Sequence, residues 1–220
     1  MVRLFVDTSD VVQLHKYARE ARISGVTTNP ALMKKSGITS YHNFALIVLG
    51  IASGKPVSFE VLADDFYEME REARELASWG ENVYVKIPVT NTHGEPTYPL
   101  IEKLQDLHLN ITAVMTVAQI EALSKITSQH HIISVFAGRI ADTGRDPMHT
   151  MRKARLAHAQ ILWASAREVL NVYQAEECGC DIITLTPDLI AKLDLHGKSL
   201  AEYSLETVKM FHEDGKGLKI

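Results

Sequence analysis

A chain of 220 residues with a net charge of −4 and both signs intermixed offers no basic face for nucleic acid. Its 46% hydrophobic and 23% charged residues are ordinary for a soluble globular protein with a sizeable core, and no apolar run approaches the ~20 residues that a membrane-spanning helix needs. Cys178 and Cys180 are the only cysteines; a Cys-x-Cys pair without a second ligand pair argues against structural zinc and for a reduced, cytoplasmic setting.

From the N-terminus, Met1-Val2-Arg3-Leu4-Phe5-Val6-Asp7 reads as a strand broken by an aspartate, without the apolar segment of a signal peptide. Beyond it, short strand-like runs alternate with longer helical patterns. Strands are predicted over 4–6, 25–27, 57–61, 83–87, 111–115, 132–136, 161–164 and 181–185. Helices are predicted over 11–21, 41–51, 65–79, 97–107, 117–128, 148–159, 167–177 and 187–193, each with apolar residues three and four apart. Eight alternations without a break in composition favour a closed (β/α)8 TIM barrel over an open doubly wound sheet. The expectation is therefore an α/β fold in which residues 1–220 form a single barrel domain, with 199–220 as a C-terminal helix and tail. That helix carries Leu200, Tyr203, Leu205, Val208 and Phe211 as an apolar stripe. With eight helices already around the barrel, the stripe needs another surface.

Side chains alternate faces along a strand, so parity separates the barrel interior from the helix-facing side. One parity collects polar residues in strand after strand: Asp7 in the first, Thr27 and Asn29 at the end of the second, Ser58 and Glu60 in the third, and Lys86 in the fourth. It continues with Asn110 and Thr112 in the fifth, Ser134 beside Phe136 in the sixth, and Ser165 and Arg167, grouped with Trp163, in the seventh. Barrel interiors are normally filled with branched apolar residues. A set of this kind on one face calls for a polar cavity.

Lys86 stands out within it. It lies alone in the apolar run Val83-Tyr84-Val85-Lys86-Ile87-Pro88-Val89, where burial disfavours the charged form of the amine. A neutral amine attacks carbonyls and forms Schiff bases.

The segments Asp7-Thr8-Ser9, Gly25-Val26-Thr27-Thr28-Asn29-Pro30, Ser58-Phe59-Glu60-Val61, Val85-Lys86-Ile87-Pro88-Val89-Thr90, Asn110-Ile111-Thr112, Ser134-Val135-Phe136-Ala137-Gly138-Arg139-Ile140 and Ala164-Ser165-Ala166-Arg167 resemble the transaldolases, in order and over nearly the whole chain. The similarity is greatest to their short-chain branch, which includes the fructose-6-phosphate aldolases. The resemblance implies roles. Lys86 is the Schiff-base lysine, Asp7 the acid/base at the cleaved bond, and Glu60 a proton shuttle through a water positioned with Thr112. Asn29 and Asn110 hold a dihydroxyacetone unit with Thr27, Ser134 and Phe136 near it, and Arg139, Ser165 and Arg167 grip a phosphate. It further implies sugar-phosphate substrates and a homo-oligomer, a pentamer or a decamer of two rings, and no cofactor is expected.

A transaldolase, which passes the three-carbon unit to a second aldehyde, is the leading expectation. An aldolase that releases free dihydroxyacetone is the alternative. Glu60 and Asn110 resemble transaldolases proper, since the aldolase subgroup tends to carry glutamine at the first position. The loop Thr90-Asn91-Thr92-His93-Gly94-Glu95-Pro96-Thr97 is unusual for the family. Ten histidines show no metal-ligand spacing, the adjacent His130 and His131 being thrown to opposite faces of a strand. Gly138, Gly144 and Gly179 form no dinucleotide fingerprint.

Overall fold

In the computed structural model, which describes residues 1–218, eight strands close into a parallel barrel in chain order. They are β1 (Arg3–Asp7), β2 (Ile23–Thr27), β3 (Val57–Glu60), β4 (Val83–Pro88), β5 (Leu109–Val114), β6 (Ile132–Val135), β7 (Gln160–Trp163) and β8 (Ile182–Leu185), and β8 pairs back onto β1. The helices are α1 (Val11–Tyr17), α2 (Pro30–Lys35), α3 (Tyr41–Ala52), α4 (Phe66–Ser78), α5 (Tyr98–Lys103), α6 (Val117–Leu123), α7 (Ala137–Asp142), α8 (Met148–Ala154), α9 (Leu170–Glu177), α10 (Pro187–Lys192) and α11 (Leu200–Asp214). The predicted TIM barrel with an added C-terminal helix is the fold observed. The last two residues of the predicted tail, 219–220, lie outside the described residues.

The barrel wall is sorted by parity. Val83, Val85 and Ile87 of β4 face outward into the main apolar core, under helices such as α4, which buries Met69, Ala73 and Leu76. That helix is started by Asp65, whose carboxylate accepts from the N–H groups of Tyr67 (2.9 Å) and Glu68 (3.2 Å). Its outer face carries Glu68, Arg71 and Glu75 as ion pairs one turn apart.

Inside the barrel a second, smaller cluster forms an apolar floor from Phe5, Ile132, Leu162, Ala164 and Ile182, with Tyr84 and Phe136 packed on it. Phe5 stands opposite Gly25 in the β1–β2 register, and a Cβ built on Gly25 would lie 2.5 Å from the phenyl carbons. Glycine at 25 is what lets the floor ring cross the barrel.

The elements differ from expectation in several places, and α5, α6 and α8 end at Lys103, Leu123 and Ala154, short of the predicted 107, 128 and 159. Two short helices, α2 and α7, follow β2 and β6 directly; at six residues each they show too little of the 3.6 period to be read. Helix α1 stops at Tyr17, before the predicted Ala21, where Lys55 Nζ donates to the carbonyls of Ala18 (2.6 Å) and Glu20 (3.1 Å). In β7 Leu162 faces the interior, as does Ala164 just past the strand, whereas Trp163 packs outward, against the predicted grouping.

Helix α11 projects its stripe into solvent: every residue of it is at least partly exposed, Leu200 at 83% and Phe211 at 65%.

Gly25→Ala is expected to lower stability by about 1–3 kcal/mol in urea unfolding, the scale of overpacking a core. The same substitution in a Phe5→Leu background should cost less, because the clashing ring is gone; equal costs in the two backgrounds would show that Phe5 is not the constraint.

Candidate active site

The strand registers set the polar residues in one layer above the apolar floor. Asp7 pairs with Thr27, Thr27 with Ser58, Glu60 with Lys86, and Lys86 with Asn110. All of these but Ser58, which lies behind Asn110, line a cavity of about 390 Å³ at the C-terminal ends of the strands, the end at which barrels of this kind carry their chemistry. Of the predicted site residues, Asp7, Thr27, Asn29, Glu60, Lys86, Asn110, Thr112, Ser134, Phe136, Arg139 and Ser165 all line it.

Lys86 is 7% exposed, and its Nζ makes two contacts, donating to the Thr28 carbonyl at 2.8 Å and to Glu60 Oε2 at 3.1 Å. The other Glu60 oxygen, Oε1, accepts from the Thr112 hydroxyl at 2.9 Å. One carboxylate is thus held between an amine and an alcohol on two neighbouring strands. Asn110 is clamped beside them: its Nδ2 donates to Ser58 Oγ at 3.1 Å, and its Oδ1 accepts from Ser134 Oγ at 2.6 Å. A fixed amide can present its remaining N–H to a ligand without reorganising.

Asp7 occupies another part of the same cavity. Thr27 Oγ1 donates to its Oδ1 at 2.9 Å and also lies 2.5 Å from Thr184 Oγ1. Asp7 is partly open to the cavity yet ringed by protein, and this desolvation pushes its carboxyl above the ordinary value of 3.8. The Lys86 charge and hydrogen bonds from Thr27 and Asn29 oppose the shift, and the Glu60 charge adds to it. A carboxylate so placed is a stronger base than one in water.

Asn29 has two tasks. Its Oδ1 accepts from Leu32 N–H at 2.9 Å and so caps α2, with Pro30 at the first helical position. Its position at the cavity wall is thereby fixed.

Strands six and seven meet through a close backbone approach. Ser165 has a left-handed φ of 59°, and a Cβ on Gly138 would fall 1.6 Å from the Ser165 carbonyl oxygen. Only glycine at 138 allows α7 to start there, and α7 carries Arg139 to the cavity.

Arg167 stands apart from the other predicted site residues. It is absent from the cavity lining: its side chain is 53% exposed and its guanidinium pairs with Asp142 Oδ2 at 2.5 Å, while its backbone N–H donates to Asn171 Oδ1 at 2.8 Å. Strand β7 ends at Trp163, so counting parity on to Ser165 and Arg167 loses its basis. Ser165 reaches the cavity through its left-handed turn instead.

The sequence reading missed Thr184, which shares the interior parity of β8 with Ile182, and the Thr28 carbonyl that receives the lysine. Parity within β8 would have found the first. The second depends on where β2 ends. Among the described residues, no group of three or more His, Cys, Asp or Glu side chains is gathered to hold a metal ion.

A closed parallel barrel with a lysine and two carboxylates in a polar cavity at its C-terminal mouth has the layout of a barrel-enzyme site, and similarity to known proteins narrows it. The chain belongs to the transaldolase/fructose-6-phosphate aldolase family, which it matches over residues 4–219. It is 32% identical to a probable transaldolase of Dehalococcoides mccartyi, covering 89% of this chain and 91% of that one. It is 30% identical to a probable transaldolase of Thermoplasma acidophilum, over 98% and 99% of the two chains. A further probable transaldolase, from Streptococcus agalactiae, is 33% identical over 94% and 95%. Among solved structures, KGPDC from Streptococcus mutans superimposes with a TM-score of 0.61 at 10% identity, covering 84% of this chain and 88% of that one. 3-Hexulose-6-phosphate synthase from Salmonella typhimurium gives 0.57 at 15%, over 84% and 89%. These two share the fold.

Because Asp7 holds its proton more tightly in the folded chain than in the unfolded one, the folded state is penalised above that raised value, and the penalty fades as pH falls toward 3.8. Asp7→Asn is therefore expected to unfold at higher urea than the wild type at neutral pH, with the advantage vanishing below pH 3.8. An advantage that is constant across pH would show that its origin is not the Asp7 charge.

Proposed function

We propose that the protein is a Schiff-base transaldolase that moves a dihydroxyacetone unit from a ketose phosphate to an aldose phosphate. The observation that carries this reading is Lys86 Nζ, buried in the cavity and in contact with a carboxylate that can take its proton. Glu60 removes a proton from the amine, and the neutral nitrogen adds to the C2 ketone of the substrate. The resulting carbinolamine receives a proton on its hydroxyl from Glu60 and loses water, leaving an iminium. Thr112, bonded to the far oxygen of Glu60, keeps that carboxylate aimed at the nitrogen.

Asp7 then accepts the proton of the C4 hydroxyl. The C3–C4 electron pair moves toward the iminium nitrogen, and the bond breaks to release an aldose phosphate. The enamine that remains attacks an acceptor aldehyde, Asp7 returns its proton to the new alkoxide, and water frees the product from Lys86. Asn29 and Asn110 suit the hydroxyls of the three-carbon unit, with Thr27, Ser134 and Phe136 around it. Arg139 and Ser165, at the mouth, suit the phosphate; Arg167 would have to leave Asp142 to join them. No cofactor takes part in these steps.

The similar proteins from Dehalococcoides mccartyi, Thermoplasma acidophilum and Streptococcus agalactiae, each a probable transaldolase, support transfer over release. In the aldolase alternative, on the same scaffold, the enamine takes a proton at carbon and water hydrolyses the resulting iminium, which frees dihydroxyacetone and the Lys86 amine. Residues 1–220 act here as one barrel unit with 199–220 as its arm, and the two unpaired, buried cysteines suit a reducing cytoplasm. The exposed stripe of α11 supports a homo-oligomer, a pentamer or decamer in which that helix packs on a neighbouring copy.

Borohydride reduction in the presence of fructose 6-phosphate is expected to label Lys86 and spare the other lysines, with erythrose 4-phosphate converting slow turnover into rapid transfer. Label at another lysine sinks the Schiff-base assignment, and sustained dihydroxyacetone release without an acceptor selects the aldolase. Light scattering is expected to give a ring-sized oligomer for the intact chain and a smaller species after truncation at Gly197. A monomeric intact protein at micromolar concentration contradicts the assembly.

A further inference from the structure

Strand β2 leaves the barrel wall before β3 does, and the mismatch falls on Glu60. The paired register of the two strands ends at Thr27 and Ser58, after which the Thr28 N–H donates to the Ser58 carbonyl at 3.3 Å. Asn29 and Pro30 then turn the chain into α2, and proline has no N–H to offer. In a parallel ladder alternate residues turn both peptide groups to the same neighbour. Ser58 and Glu60 accordingly face the β2 side, whereas Val61 faces β4 and donates to the Lys86 carbonyl at 3.1 Å. The N–H and C=O of Glu60 therefore point to a place that β2 has already left, and a buried peptide group left unpaired is costly.

The hydroxyl of Tyr41 occupies that place. Its Oη accepts from the Glu60 N–H at 2.7 Å and donates to the Glu60 carbonyl at 3.0 Å, so one side chain stands in for the missing strand residue. The ring is fixed edge-on against Phe59 (centroids 5.9 Å apart, planes at 81°) and Trp79 (5.6 Å, 81°), which leaves the hydroxyl little freedom. Burial pushes the phenol upward from its ordinary value, so it keeps the proton it donates. Just beyond, Glu72 Oε2 accepts from the N–H groups of Leu62 (2.7 Å) and Ala63 (2.9 Å), which pins the segment leaving β3.

We propose that Tyr41 is a positioning residue for Glu60. By completing the ladder at the last residue of β3, it sets the backbone from which the carboxylate reaches Lys86 and Thr112. The inference rests on the reading of Glu60 as the proton shuttle, and it assigns that role's precision to a side chain outside the cavity. It predicts a loss in the chemical steps and not in substrate binding, since Tyr41 is absent from the cavity lining.

Tyr41→Phe keeps the ring and removes the hydroxyl, and circular dichroism and thermal unfolding verify that the variant folds. Its kcat is expected to fall ~10-fold or more with KM within about twofold of the wild type, as for a displaced acid–base group. In a Glu60→Gln background the same substitution should change kcat less than about twofold, because the group it positions is already gone. The 13C resonance of the Glu60 side-chain carboxyl should move in Tyr41→Phe. Equal losses in both backgrounds, or an unmoved carboxyl resonance, would overturn the proposal. A moved resonance in a protein whose Lys86 is never labelled by borohydride supports the hold of Tyr41 on Glu60 and refutes the Schiff-base reading instead.

Discussion

An amine and a carboxylate are held in contact inside the wall of a parallel barrel, and the rest of the mouth is arranged around that contact. Glu60 and Lys86 are register partners on β3 and β4, so their side chains point the same way from adjacent strands and meet at 3.1 Å. Burying such a pair has a desolvation cost that only further hydrogen bonds offset. The structure supplies them from β3, β5, β6 and the residue just past β2: the Thr28 carbonyl to the lysine, the Thr112 hydroxyl to the carboxylate, and the Ser58–Asn110–Ser134 chain beside both. Removing one member would leave a buried charge with part of its coordination missing, which is why the polar layer spans so many strands.

The apolar floor makes that layer possible. Phe5 closes the barrel beneath the cavity, and Gly25 gives it room, so the polar residues begin where close packing ends. The layer also opens on one side toward Arg139, which α7 can reach only because Gly138 lets its backbone pass against Ser165. In the proposed reaction the two carboxylates then differ in surroundings. Glu60 is tied to an amine and an alcohol, whereas Asp7 sits where burial outweighs its hydrogen bonds. Two acids in unlike settings can handle protons at two ends of one substrate.

Much of this was legible in the sequence, and the limits have physical causes. Parity placed Asp7, Glu60, Lys86, Asn110, Thr112 and Ser134 on one face because each lies inside a regular strand, where alternation is enforced by geometry. It failed past Trp163, where β7 ends; Ser165 enters the cavity through a left-handed turn, and Arg167 turns to Asp142. The helices α2 and α7 escaped notice because six residues hold fewer than two turns of periodicity. The tie from Tyr41 to Glu60 joins a helix N-terminus to a strand end nineteen residues later through a hydroxyl, and no pattern of hydrophobicity records a contact of that kind.

The most direct test of the central claim, that Lys86 forms a covalent imine helped by Glu60, is the exchange of solvent oxygen into the C2 carbonyl of fructose 6-phosphate. The protein would be incubated with the sugar in 18O-labelled water without an acceptor, and the label at C2 followed by mass spectrometry. Carbinolamine dehydration and rehydration replace that oxygen, so exchange well above the uncatalysed rate is predicted for the wild type. Lys86→Arg should fall to background and Glu60→Gln should slow exchange by about 10²-fold, the scale of a lost acid–base group. Turnover of the sugar with C2 oxygen exchange no faster than background would contradict the account.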